Sequence, residues 1–89
     1  MQLPEEVTAE VRTRLRRIAG QVQGVERMLQ EGRDCREIVA QISAATKALE
    51  QAGFRLVAEG LTYCIQRPEE AEADGYGVDV VQKMFMKLA

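Results

Sequence analysis

DCREIVAQISAATKALEQAGFRLVAEGLTYCIQ, residues 34–66, is the stretch on which the fold turns. It opens with Asp34, a good N-cap residue, and carries Glu37 three positions later, a capping-box arrangement with Asp in place of Ser or Thr. From there Cys35, Ile38, Ile42, Ala45, Leu49, Ala52 and Leu56 recur at intervals of three and four. That is a heptad seam, and it runs on less regularly through Tyr63 and Cys64. Pro68 bars a further turn. The pattern predicts one helix over about residues 35–66, long for a chain of 89 residues.

Upstream, a first helix is expected to start near Pro4, with Glu5 and Glu6 complementing the positive end of its dipole. Val11, Leu15, Ile18, Val22, Val25 and Leu29 form its apolar stripe, again a heptad seam. Gly20 and Gly24 lie inside it, each costing roughly 1 kcal/mol of helix propensity relative to Ala, which a close helix contact there would offset. Gly32 is a fitting stop. Downstream, residues 67–77 read as a loop, and Val78, Val81, Phe85 and Leu88, with Met84 beside them, give a third, short helix an apolar face. The expected architecture is all-α, three helices per chain, one domain over residues 1–89. A single hairpin of two heptad helices leaves both seams half covered. Two hairpins pairing into an antiparallel four-helix bundle cover them, so a homodimer or a larger even oligomer is expected.

Composition narrows the function. Apolar residues make up 46% of the chain, with no Trp and only Phe54, Phe85, Tyr63 and Tyr76 as aromatics, a composition suited to helix-on-helix packing. No apolar run approaches the ~20 residues of a membrane span. Two cysteines and no leader-like segment fit a reducing cytoplasm. The chain has no histidine, which removes the commonest general base and metal ligand, and it has no Gly-rich phosphate loop. An enzyme is therefore not expected, and no resident cofactor is. The net charge of −2 argues mildly against a nucleic-acid binder, but Arg12, Arg14, Arg16 and Arg17 form a basic cluster with no acid between them. Such a cluster is either a solvated flank of the bundle or a phosphate-binding surface.

Cys35 and Cys64 stand 29 residues apart on one predicted rod. At ~1.5 Å per residue that is roughly 43 Å. A disulfide needs Cα atoms within about 7 Å. The two thiols of one chain cannot meet, whereas antiparallel pairing of two copies sets Cys35 against Cys64 of the partner, twice by symmetry. The competing reading is that both are merely small buried apolar residues. Their chemistry is expected to differ: a helix N-terminus, with Arg33 and Arg36 nearby, favours the thiolate at Cys35, whereas the dipole opposes it at Cys64. Cys35 is then the attacking thiol and Cys64 the resolving one.

RLRRIAGQVQGVERMLQEGRDCREIV, residues 14–39, followed by QISA at 41–44, resembles the CsoR/RcnR family of bacterial repressors over about residues 8–66. The resemblance implies a disc-shaped homotetramer, a dimer of dimers. It also implies binding to double-stranded operator DNA without a helix-turn-helix, and release when an effector engages the cysteine site. The family's DNA-contacting arginine falls at Arg14; Arg17 shares its face, and Arg16 completes the cluster. A second basic position falls at Gln51, a departure for which Lys47 and Arg55, one turn to either side, are candidate substitutes. The family's copper(I) sensors carry His four residues before the second cysteine, where this chain has Gly60. Two cysteines without that His resemble the persulfide-sensing, CstR-like branch. There a small sulfur effector, persulfide or another reactive sulfur species, links Cys35 to Cys64 of a neighbouring subunit. The alternative is Cu(I) held by the same intersubunit thiolates of Cys35 and Cys64, a soft ion that prefers sulfur.

Overall fold

A computed structural model describes all 89 residues. It contains four helices and no strand: α1 (Glu5–Gln30), α2 (Cys35–Gln66), α3 (Pro68–Ala73) and α4 (Val78–Leu88). α1 and α2 form the expected antiparallel hairpin. The reversal is a Schellman closure around Gly32, whose φ of 68° lies in the left-handed region that glycine enters without penalty. The Gly32 N–H donates to Leu29 O at 3.2 Å and the Arg33 N–H to Met28 O at 3.0 Å. α2 then starts on Asp34, whose carboxylate accepts from the Arg36 N–H at 3.0 Å. That bond goes to the second helical N–H, so Asp34 caps α2 without forming the capping box. Glu37 does not reach back, because it pairs with Arg33 at 2.7 Å.

α2 runs for 32 residues without interruption. At 1.5 Å per residue it is roughly 48 Å long, and it sets the molecule's longest dimension of 55 Å. Residues 67–77 are not all loop. Pro68 ends α2 but sits in the first turn of α3, where its missing N–H costs nothing and its fixed φ suits a new helix. The chain therefore has four helices rather than three. α3 closes on Gly75 (φ 75°) by the same Schellman pattern as α1, with the Tyr76 N–H donating to Ala71 O at 2.7 Å. That turn folds α4 back onto α2.

The core is small, with 11 of 89 residues buried, so one chain leaves much of its apolar surface uncovered. Val7, Val11 and Ala52, with Leu56, join α1 to α2; Val57, Cys64, Ala71 and Val81 join α2 to α3 and α4. Each long seam is split along its length. Val11 and Ile18 on α1, and Ala45 and Ala52 on α2, are buried within the hairpin, while Leu15, Val22, Leu29, Ile42 and Leu49 stay exposed. Gly20 and Gly24 are not sites of close approach within the chain: a Cβ at Gly20 would meet nothing within 4 Å, and one at Gly24 only the tip of Arg27. The close approaches fall at Gly53, where a Cβ would stand 2.8 Å from Leu88 Cδ1, and at Gly60 beneath α4. Phe54 and Phe85, with ring centroids 5.5 Å apart, add to the α2–α4 packing. No helix is long and apolar enough to cross a membrane.

Candidate functional site

Cys35 and Cys64 are free thiols at opposite ends of α2. Because that helix is unbroken, the separation of roughly 43 Å stands, and one chain cannot bring the two together. Their surroundings differ sharply. Cys35 is the first residue of α2 and is exposed. The guanidinium groups expected to act on it are already matched by acids: Arg33 pairs with Glu37 at 2.7 Å, and Arg36 with Asp34 at 3.4 Å.

Cys64 is buried between α2, α3 and α4, and its Sγ donates to the Tyr76 carbonyl oxygen at 2.8 Å. One turn earlier on the same face, Gly60 lies under α4, where a Cβ would meet Val81 Cγ2 at 3.6 Å and Met84 Cε at 3.9 Å. A side chain at position 60 would therefore lie in ordinary contact with α4. Tyr63 packs edge-on to Tyr76, with centroids 6.5 Å apart, and its hydroxyl lies 3.5 Å from Asp74 Oδ2. Partial desolvation, then the Asp74 and Glu70 carboxylates, push the Tyr63 phenol above its ordinary value of 10.0, against a smaller opposing effect of Arg67. No three side chains of His, Cys, Asp or Glu within the chain converge to hold a metal ion. A metal at either cysteine therefore needs donors from a second copy or from another residue type.

The basic cluster divides between faces. Arg14 and Arg17, with Gln21, Ala48 and Gln51, border a shallow groove between α1 and α2. The exposed apolar strip, with Val22, Ile42 and Leu49, borders a separate groove. At 100° per residue Arg16 is rotated about 200° from Arg14, so it leaves the groove for the far flank of α1. Arg14 is loosely held by Glu10 at 3.7 Å, and Arg16, Arg17 and Lys47 form no ion pair. Of the two candidate substitutes for a basic residue at 51, Arg55 is committed to Glu10 at 3.1 Å and Glu59 at 3.3 Å. Lys47 is free and exposed. The sequence does not single out Tyr76 for the site, because its contribution is a backbone carbonyl that no side-chain pattern signals. It marks Met84 only as part of an apolar face.

A family profile described as metal-sensitive transcriptional repressors matches residues 8–87. The copper-sensing transcriptional repressor RicR of Mycobacterium tuberculosis is 44% identical over 54 residues, covering 61% of this chain and 56% of that protein. The matched segment thus spans little more than half of RicR. The copper-sensing transcriptional repressor CsoR of Bacillus subtilis is 34% identical over 76 residues, 85% of this chain and 72% of that protein. The uncharacterized protein YrkD of Bacillus subtilis is 34% identical over 47 residues, 53% of this chain and 75% of that protein. No solved structure matches the chain.

Proposed function

Given that the chain belongs to the metal-sensitive transcriptional repressor family, the CsoR/RcnR family, we propose that it represses transcription as an oligomer and releases its operator when Cu(I) joins Cys35 of one subunit to Cys64 of another. The observation that carries this reading is the intact α2 rod with a different thiol at each end. The midpoint between residues 35 and 64 falls between Leu49 and Glu50, and Leu49 belongs to the exposed apolar strip. A two-fold axis crossing α2 there pairs the helix antiparallel with its copy, covers the strip, and sets Cys35 level with Cys64 of the partner. The donors suit the ion: thiolate sulfur selects Cu(I) over harder metals. The copper-sensing names of RicR and CsoR favour this effector over the sulfur effector to which the missing histidine points.

DNA is taken on the other groove. Arg14 and Arg17, with Lys47 on the neighbouring helix, offer cations to phosphates, and an oligomer repeats the set. Engaging the thiols ties a helix start to a neighbouring helix end. It acts on DNA to the extent that the tied and untied assemblies differ in affinity for the operator.

A second reading is favoured by one specific feature. There is no imidazole, and position 60 is a glycine lying against Val81 and Met84. Reactive sulfur needs no third ligand. The exposed Cys35 thiolate takes the outer sulfur of a low-molecular-weight persulfide and expels its thiolate. Cys64 of the partner then attacks Cys35, expels hydrosulfide and leaves a disulfide. The persulfide is the oxidant in this sequence. Intact mass spectrometry paired with an operator-release assay, after separate exposure to Cu(I) and persulfide, decides between the two. Release that a chelator reverses, without covalent linkage, supports Cu(I); subunits linked through sulfur support the second reading. Release by either effector from both Cys35→Ala and Cys64→Ala proteins would defeat both.

A further inference from the structure

Resting on the Cu(I) reading, we infer that the Met84 thioether is a third donor to that ion, supplied by α4 to the Cys64 side of the site. Two thiols alone leave a soft ion one donor short of a trigonal site, and the chain offers no histidine. The next soft donor in chemical order is a thioether. Of the four methionines, Met84 is the one packed on the buried cluster that contains Cys64. Its methyl carbon lies 3.9 Å from where a Cβ on Gly60 would stand. Gly60 precedes Cys64 by one helical turn, so its face is the face of Cys64, with neighbouring Cβ positions about 5–6 Å apart. The absence of a side chain at 60 lets α4 approach there, and the end of the Met84 side chain reaches the position one turn before Cys64. Methionine is unbranched, so small rotations move its sulfur over several ångströms without moving the helix.

The donor set has a chemical consequence. Two thiolates and a neutral thioether suit a monovalent soft ion. They fall short of the four ligands that structural Zn(II) takes. It also ties α4, which sits on α2 through Val81 and the Phe54–Phe85 pair, to the occupancy of the site.

The test uses the full chain, anaerobic Cu(I) as the probe, and Met84→Leu, a near-isosteric change that the fold tolerates. Competition with a Cu(I) chelator is expected to show a loss of roughly tenfold or more in affinity, the size of effect seen for groups that tune a metal site. X-ray absorption is expected to drop from three sulfur neighbours to two. In wild-type protein labelled with 13C at the methionine methyls, one Cu(I) equivalent is expected to move Met84 and leave Met1, Met28 and Met86 in place. That readout needs no variant. Two sulfurs in wild-type protein, an unchanged affinity in Met84→Leu, or movement of Met28 in place of Met84 would overturn the inference while leaving Cu(I) sensing intact. Wild-type protein that binds Cu(I) no more tightly than Cys64→Ala would overturn the Cu(I) reading itself, and Met84's role with it.

Discussion

Leu49→Glu tests the antiparallel pairing at its centre. Leu15, Val22, Leu29, Ile42 and Leu49 are each 43–61% exposed in the single chain. Fully burying one aliphatic side chain contributes about 1.5–3 kcal/mol, so covering the remaining half of each contributes about 1 kcal/mol. Two copies of five residues then supply roughly 10 kcal/mol, set against an association cost of about 4–15 kcal/mol. The pairing has little margin. Symmetry makes every substitution count twice. Leu49→Glu removes about 2 kcal/mol of burial per dimer and places two carboxylates close to each other near the axis, at several kcal/mol per buried ion. A destabilisation of about 5 kcal/mol or more weakens the dimer over a thousandfold. Sedimentation at micromolar concentration reads the oligomer, and circular dichroism checks that the helices persist. The expected result is a helical monomer that no longer forms the Cys35–Cys64 site. Gln51→Glu, on the groove with Arg14 and Arg17, is the control, expected to keep the oligomer and to weaken DNA binding. Leu49→Glu protein that sediments like the wild type would refute the placement of the axis.

Arg14→Ala is expected to lower DNA affinity at unchanged oligomer size and to make the salt slope shallower by about one for each phosphate that the arginine neutralises, read by fluorescence anisotropy across a salt series; an unchanged slope removes Arg14 from the DNA surface. Alkylation of single-cysteine proteins by iodoacetamide should label exposed Cys35 much faster than buried Cys64, and the reverse order would invert the attacking and resolving roles. The Tyr63 phenol should titrate above the ordinary tyrosine range, and Asp74→Asn should bring its midpoint down, because the Asp74 carboxylate is one cause of the rise. A group whose folded value is raised contributes stability that is fully present below the unfolded value of about 10 and is lost as pH climbs through the folded one. Any stability that Tyr63 contributes should therefore decline as pH rises above 10, and ultraviolet titration of the Tyr76→Phe protein isolates the Tyr63 signal.

Much of the hairpin was legible in the sequence. Apolar residues at intervals of three and four, Asp34 at a helix start and Gly32 at a helix end are local signals, and local signals specify helices because their hydrogen bonds close within a few residues. The separation of Cys35 and Cys64 follows from helix length alone, since a continuous helix has a fixed rise per residue. Pro68 was half legible. It excludes the helix before it, but whether it begins another depends on Ala71 finding a buried place, which is a property of α2 and α4. The tertiary structure alone decided which half of each seam is spent inside the chain and which is left for a second copy. The heptad spacing is identical for both, and only packing against a neighbour separates Ile18 from Val22. It likewise set the Tyr76 carbonyl on Cys64, committed Arg55 to Glu10, and brought Met84 over Gly60. Each of these joins residues 12 to 45 positions apart in the chain or on different helices, pairings for which a single sequence carries no periodic signal.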